Sequence, residues 1–170
     1  MPRGHFRSLG YGLLAIAMVV LPLAGCSSIG ASAFGSNKLE VAELSNIGSY
    51  TSETARGEAR AHFRNNDFGH SAALYKRYVE LSPKDPEGYV GLGASYDRLR
   101  RFDLADRVYA SLLALTGPTA QYYNNLGYSH LLRGNLPAAF KNFREAQKLA
   151  PDSIVIANNL QLLKDASARS

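Results

Sequence analysis

The chain has 170 residues, enough for one small domain, and 46% of them are apolar against 19% charged. Its 19 basic and 14 acidic side chains leave a formal charge of +5, too weak a balance to suggest a nucleic-acid partner, which would want a concentrated basic face. A single cysteine excludes a disulfide within the chain.

The first element is a leader. Arg3 and Arg7 form a basic start, residues 13–23 an apolar run, and Leu23-Ala24-Gly25-Cys26 follows. The run is too short to span a bilayer, which takes about 20 residues, so it reads as a signal peptide over residues 1–25. The tetrapeptide resembles the lipobox of bacterial lipoproteins. That resemblance implies cleavage before Cys26, acylation of its thiol and a mature domain facing the periplasm. Ser27 in place of aspartate implies sorting to the outer membrane. Arg3 and Arg7 leave with the leader while all 14 acidic residues stay, which lowers the formal charge from +5 to +3.

Residues 27–37 are rich in Ser, Gly and Ala and read as a flexible tether. Residues 38–50 fit either a short helix or a strand. From residue 51 a pattern of 34 residues takes over, with Thr51 or Ser52 as its N-cap.

The pattern is clearest in its last copy, residues 120–153. Tyr123, Leu126, Gly127 and His130 fall at i, i+3, i+4 and i+7 and make one stripe of a first helix. After the turn Arg133-Gly134-Asn135, a second helix presents Ala139, Phe143 and Ala146, and Pro151 closes the unit. Gly127 and Ala139 let the two backbones approach while Phe143 fills the space left over. The copy over 86–119 repeats the set as Tyr89, Leu92-Gly93, Tyr96, Ala105 and Tyr109, with Asp85-Pro86 as an N-terminal cap and Gly117-Pro118 at the end. The copy over 52–85 keeps Ala55, Ala59, Phe68, Tyr75, Leu81 and Pro83, but Glu58 replaces the leucine, His62 the aromatic and Ser71 the alanine. Residues 154–164 supply a capping helix starting at Asp152 or Ser153. This spacing resembles the tetratricopeptide repeat, W-x2-L-G…A-x3-F…P. The resemblance implies an all-α, short right-handed solenoid of about three helical hairpins plus a C-terminal cap, occupying 51–170.

Catalytic and cofactor signals are weak. Gly91-Leu92-Gly93 opens like a dinucleotide fingerprint, but Tyr96 stands in place of the third glycine and no strand precedes it. His62, His70 and His130 are scattered over the hairpins without an i, i+4 pair, so no metal ligand is expected among them. Asp67, Asp85, Asp103 and Asp152 stand at turns and helix starts, where capping accounts for them. No enzyme activity and no cofactor are expected.

A surface remains. The face of each first helix opposite the hairpin core repeats at i, i+3, i+7 and i+10, and stacked hairpins line such faces up as a groove. The candidate groove residues are Arg56, Arg60, Phe63 and Arg64 from the first hairpin, Val90, Ala94, Asp97 and Arg98 from the second, and Asn124, Tyr128 and Leu131 from the third. Asn158 of the cap joins them. The apolar members exceed what a solvating face requires, and the amides suit an extended backbone. The two-helix peptide clamp of chaperone-binding tetratricopeptide domains is not matched: Arg56 and Arg60 could play its basic residues, but Gly91 stands where that clamp has asparagine. More narrowly, a short lipoprotein with three repeats and the phrase NNLGYSHLLRGNLPAA resembles the TadD-like lipoproteins of tight-adherence (Flp) pilus systems. That likeness implies an adaptor for secretin or pilus assembly, with a secretin subunit or pilus-assembly protein as partner. The alternative is a general envelope scaffold that recruits peptidoglycan or outer-membrane assembly factors.

The leader reading makes Cys26 the acyl acceptor. Cys26→Ser is expected to leave an uncleaved precursor or a soluble form on membrane fractionation; normal maturation and membrane retention of that variant would contradict it.

Overall fold

The computed structural model describes residues 40–169. Cys26, the leader and the 27–37 tether lie outside the described residues. Within them the chain forms helices α1 (Ser52–Arg64), α2 (Phe68–Leu81), α3 (Pro86–Arg98), α4 (Phe102–Thr116), α5 (Ala120–Leu132), α6 (Leu136–Leu149) and α7 (Ile154–Ser167), and no strand. None of these is long and apolar enough to cross a membrane.

Helix starts follow local chemistry. Thr51 caps α1 in a reciprocal box with Thr54, whose amide reaches Thr51 Oγ1 at 3.2 Å while Thr51 N donates to Thr54 Oγ1 at 3.0 Å. Asp67, Asp85, Thr119, Asn135 and Ser153 accept from first-turn amides of α2, α3, α5, α6 and α7. Each satisfies a donor that the helix itself cannot. Asp103 differs: it lies inside the first turn of α4, whose capping residue Arg101 makes no side-chain cap. Between paired helices the chain turns through a left-handed residue at the same register each time, Asn66 (φ 58°), Arg100 (φ 58°) and Gly134 (φ 75°). The register is kept even where the residue is arginine, which costs of order 1 kcal/mol against glycine.

Pairing is antiparallel, α1 with α2, α3 with α4 and α5 with α6, and the odd-numbered helices also touch their odd neighbours along the stack. What sets the interhelical spacing is a small residue facing an aromatic ring. A Cβ added to Gly127 would sit 2.6 Å from Phe143 Cδ1, and one added to Gly93 would sit 2.8 Å from Tyr109 Cε1. Gly91 of α3 lies flat against the ring of Tyr75 in α2, which joins the first hairpin to the second by the same device. Ala59, Ala105, Ala139 and Phe143 are fully or almost fully buried around these contacts. Ser71, standing in an alanine position, is buried too, and its hydroxyl donates to Ala59 O at 3.0 Å and pairs with Ser95 Oγ at 2.9 Å. Leu126, expected in the core, is only partly buried.

Residues 40–50 form neither a regular helix nor a strand beyond one 3-10 turn, Ile47–Ser49. Val41, Leu44, Ile47 and Tyr50 pack onto the first hairpin. Ala42 N donates to Gly69 O at 3.1 Å, and Tyr50 OH donates to Glu58 at 2.9 Å. The second contact explains a glutamate in a leucine position: that position in α1 is exposed and anchors the incoming segment.

Because Phe143 leaves no room at Gly127, Gly127→Ala is expected to destabilise the domain by about 1–3 kcal/mol through overpacking. Phe143→Ala is expected to cost about 3–5 kcal/mol through the cavity left behind. Urea denaturation followed by circular dichroism measures both; an unchanged midpoint for Gly127→Ala would contradict the close approach.

Candidate functional site

Helices α1, α3, α4, α5 and α7 together form a cleft of about 300 Å3, lined by Phe63 of α1, Ala94, Asp97 and Arg98 of α3, Tyr109 of α4, Asn124, Asn125 and Tyr128 of α5, and Asn159 of α7. It forms because small Ala94 sits between larger side chains from neighbouring hairpins. Its rim is basic on one side: the Arg98 guanidinium lies 4.2 Å from the centre of the Phe68 ring, which holds it over the cleft edge, and Phe63 meets Phe68 edge to face.

Phe63, Ala94, Asp97, Arg98, Asn124 and Tyr128 of the expected groove are thus brought together. The others are placed differently. Arg56 and Arg60 reach across to Glu87 of α3, at 3.9 and 2.5 Å, so much of their charge is already met within the chain. Arg64 is exposed at the end of α1. Val90 is partly buried against the main core. Leu131 is partly buried against Ala139, Phe143 and Leu163 and does not line the cleft. Asn158 is exposed and outside the cleft; its neighbour Asn159 lines it instead and donates to Asn124 Oδ1 at 2.8 Å.

Asp97 corrects the expectation most. It is 2% exposed. Ser129 Oγ donates to its Oδ1 at 2.5 Å and Tyr109 OH to its Oδ2 at 2.8 Å, which ties α3 to α4 and α5. Arg133 extends the network, donating to Ser129 Oγ at 2.8 Å and gripping Asp106 with two nitrogens at 2.9 and 2.5 Å. Burial pushes the Asp97 carboxyl above the usual carboxylate range, and the bonds from Ser129 and Tyr109 only partly offset it. Burial and the adjoining carboxylate raise the Tyr109 phenol well above its ordinary value. The inward turn has a geometric cause: ten residues along an α-helix leave a side chain about 80° off the starting direction, so the last stripe position of α3 and α5, Asp97 or Leu131, rotates toward the core.

Two further features escaped the sequence. Asn125 Nδ2 is buried at the cleft without an acceptor among the described residues, a donor that an occupant's carbonyl would satisfy. His62 and His70, read as scattered, stand together: their rings stack with centroids 5.0 Å apart, and Asp67 lies between them. The turn between α1 and α2 closes a separation in sequence that no helical spacing would reveal. His130 is half-buried, and its burial lowers its pKa, as does the nearby Arg133.

Comparison with known proteins agrees with this geometry. Residues 90–154 match the family model described as Tetratricopeptide repeat. Mouse (Mus musculus) BBSome complex member BBS4 is 32% identical over 96 residues, 55% of this chain but only 18% of that protein. Among solved structures, the first such domain of human RPAP3 superposes with a TM-score of 0.61 at 18% identity, covering 70% of this chain and 94% of that one. The TPR2B domain of yeast Sti1, in a structure described as a pHsp70 complex, gives 0.60 at 18% identity over 70% and 98%. The Yersinia enterocolitica type III secretion chaperone SycD, in complex with a peptide of the translocator YopD, gives 0.56 at 17% identity over 67% and 87%. At these identities the likeness speaks for the fold. The described helices are therefore a tetratricopeptide-type α-solenoid, whose residues 90–154 carry that repeat family's own sequence signature.

Proposed function

We propose that this chain is a lipid-anchored adaptor of the bacterial outer membrane that holds a segment of a partner protein in the cleft and assists assembly of a Tad/Flp-type pilus or secretion apparatus. The observation that carries the binding reading is the cleft itself, where Phe63 and Tyr128 offer apolar surface beside the unmet donor of Asn125. An extended or helical segment with an apolar side chain and a free backbone carbonyl matches that set. The peptides recorded with SycD and with an RPAP3-type domain support the same use of this fold. The partner's acidic group would meet Arg64 and Arg98, because Arg56 and Arg60 are engaged by Glu87. Such rim charges chiefly speed encounter and set orientation, and salt screens them. The lipobox-like run ending in Cys26 and the NNLGYSHLLRGNLPAA phrase support the envelope and the secretin or pilus partner. Tethering at Cys26 raises the local concentration of the cleft at the membrane.

Complementation of a strain lacking this gene tests the reading, scored by secretin multimers on gels and by surface pili. Tyr128→Ala removes the aromatic wall and Ala94→Arg fills the cleft; both are expected to stay folded and to lose assembly. Lys76→Ala with Lys141→Ala, on exposed positions of α2 and α6, is expected to behave as wild type. Full complementation by both cleft variants would place the binding surface elsewhere.

A further inference from the structure

The turn that closes the first hairpin gathers three metal-binding side chains at one point. His62 lies in the last turn of α1, Asp67 caps α2 and His70 sits in its first turn. Left-handed Asn66 folds the second helix back so that the two imidazoles stack at 17°. Both rings turn Nδ1 toward the same carboxylate oxygen, His62 and His70 each lying 2.9 Å from Asp67 Oδ2. All three donor atoms lie within 4.8 Å of one another. A tetrahedral ion with bonds of about 2.0–2.1 Å holds its ligand atoms roughly 3.3 Å apart, so the two nitrogen-to-oxygen edges are close to that figure and the nitrogen-to-nitrogen edge lies within 4.8 Å.

Packing does not demand this cluster. The equivalent positions 34 residues on are Tyr96, Arg101 and Leu104, and another 34 on they are His130, Asn135 and Ala138, yet those hairpins close the same way. The side chains are about two-fifths exposed or less, at 34%, 40% and 42%, which lets an ion enter and leaves room for water. Beside them lies a cleft of about 520 Å3 whose lining includes Glu43, a further acidic side chain that favours a cation.

The geometry points to a divalent transition-metal site formed by His62 Nδ1, His70 Nδ1 and an Asp67 oxygen, with water in the fourth position. Two imidazoles and one carboxylate suit Zn2+ and its borderline neighbours better than Mg2+ or Ca2+, which prefer all-oxygen shells. The ion pins the end of α1 to the start of α2. That end carries Phe63, so the metal also fixes one wall of the cleft. It acts on the hairpin whose repeat signature is weakest, where Glu58 replaces the core leucine.

The test is zinc titration of the tag-free, metal-stripped full chain in detergent, by calorimetry and by competition with a chromophoric chelator. One Zn2+ per chain is expected, with a rise in melting temperature because the ion binds the folded state. His62→Gln, His70→Gln and Asp67→Asn are each expected to weaken binding by about tenfold or more, the scale on which even supporting groups act. His130→Gln is expected to leave it unchanged. Asp67→Asn keeps a helix-capping oxygen, so its loss of zinc cannot be assigned to a lost cap; a circular dichroism melt without metal checks that it folds. Absence of saturable Zn2+ binding by the wild-type chain, or binding unaltered in the three variants, overturns the assignment.

Discussion

A small residue pressed against an aromatic ring is the contact on which the rest of this molecule depends. At Gly127 against Phe143 and Gly93 against Tyr109 there is no room for even a methyl group, so the two helices of a hairpin are held at backbone contact. Gly91 against Tyr75 carries the same spacing across to the next hairpin. The odd-numbered helices then stand side by side, and their outward stripes converge. The cleft is a consequence of that spacing and not of any loop.

One polar network modifies the apolar plan. Tyr109 brings a hydroxyl into the core that Phe143, its counterpart 34 residues later, does not. Asp97 accepts it, and Ser129 and Arg133 complete the set. A buried carboxylate is tolerated because two hydroxyls donate to it and a guanidinium stands behind them. The cost is visible in its raised affinity for a proton. In exchange the network fixes α3, α4 and α5 relative to one another beside the cleft.

Much of the fold was legible because the repeat is written in residue sizes. Gly127, Ala139 and Phe143 state the packing directly, and Asp85-Pro86 and Thr51 state where helices begin. The cleft was legible in part. A stripe at i, i+3, i+7 and i+10 follows a face only approximately, so Asp97 and Leu131 rotated inward while Ala94 and Tyr128 stayed on the surface. Asn159 was missed for Asn158 because the 34-residue spacing was carried on from Asn124, whereas α7 brings the next residue to the cleft. The His62, Asp67 and His70 cluster was missed because a turn, with a left-handed Asn66, brings His62 onto the Asp67 and His70 pair from another helix. Residues 40–50 carry no periodicity and take their path from contacts with the finished hairpin, as Ala42 N on Gly69 O shows.

The central claim is that the face shared by α1, α3, α5 and α7 receives the partner. Site-specific photo-crosslinking in cells addresses it most directly, with a photoreactive phenylalanine analogue placed at Tyr128 in one strain and at Lys141 on α6 in another. A discrete adduct is expected from position 128 and none from 141. Capture from 141 alone, or equally from both, would contradict it.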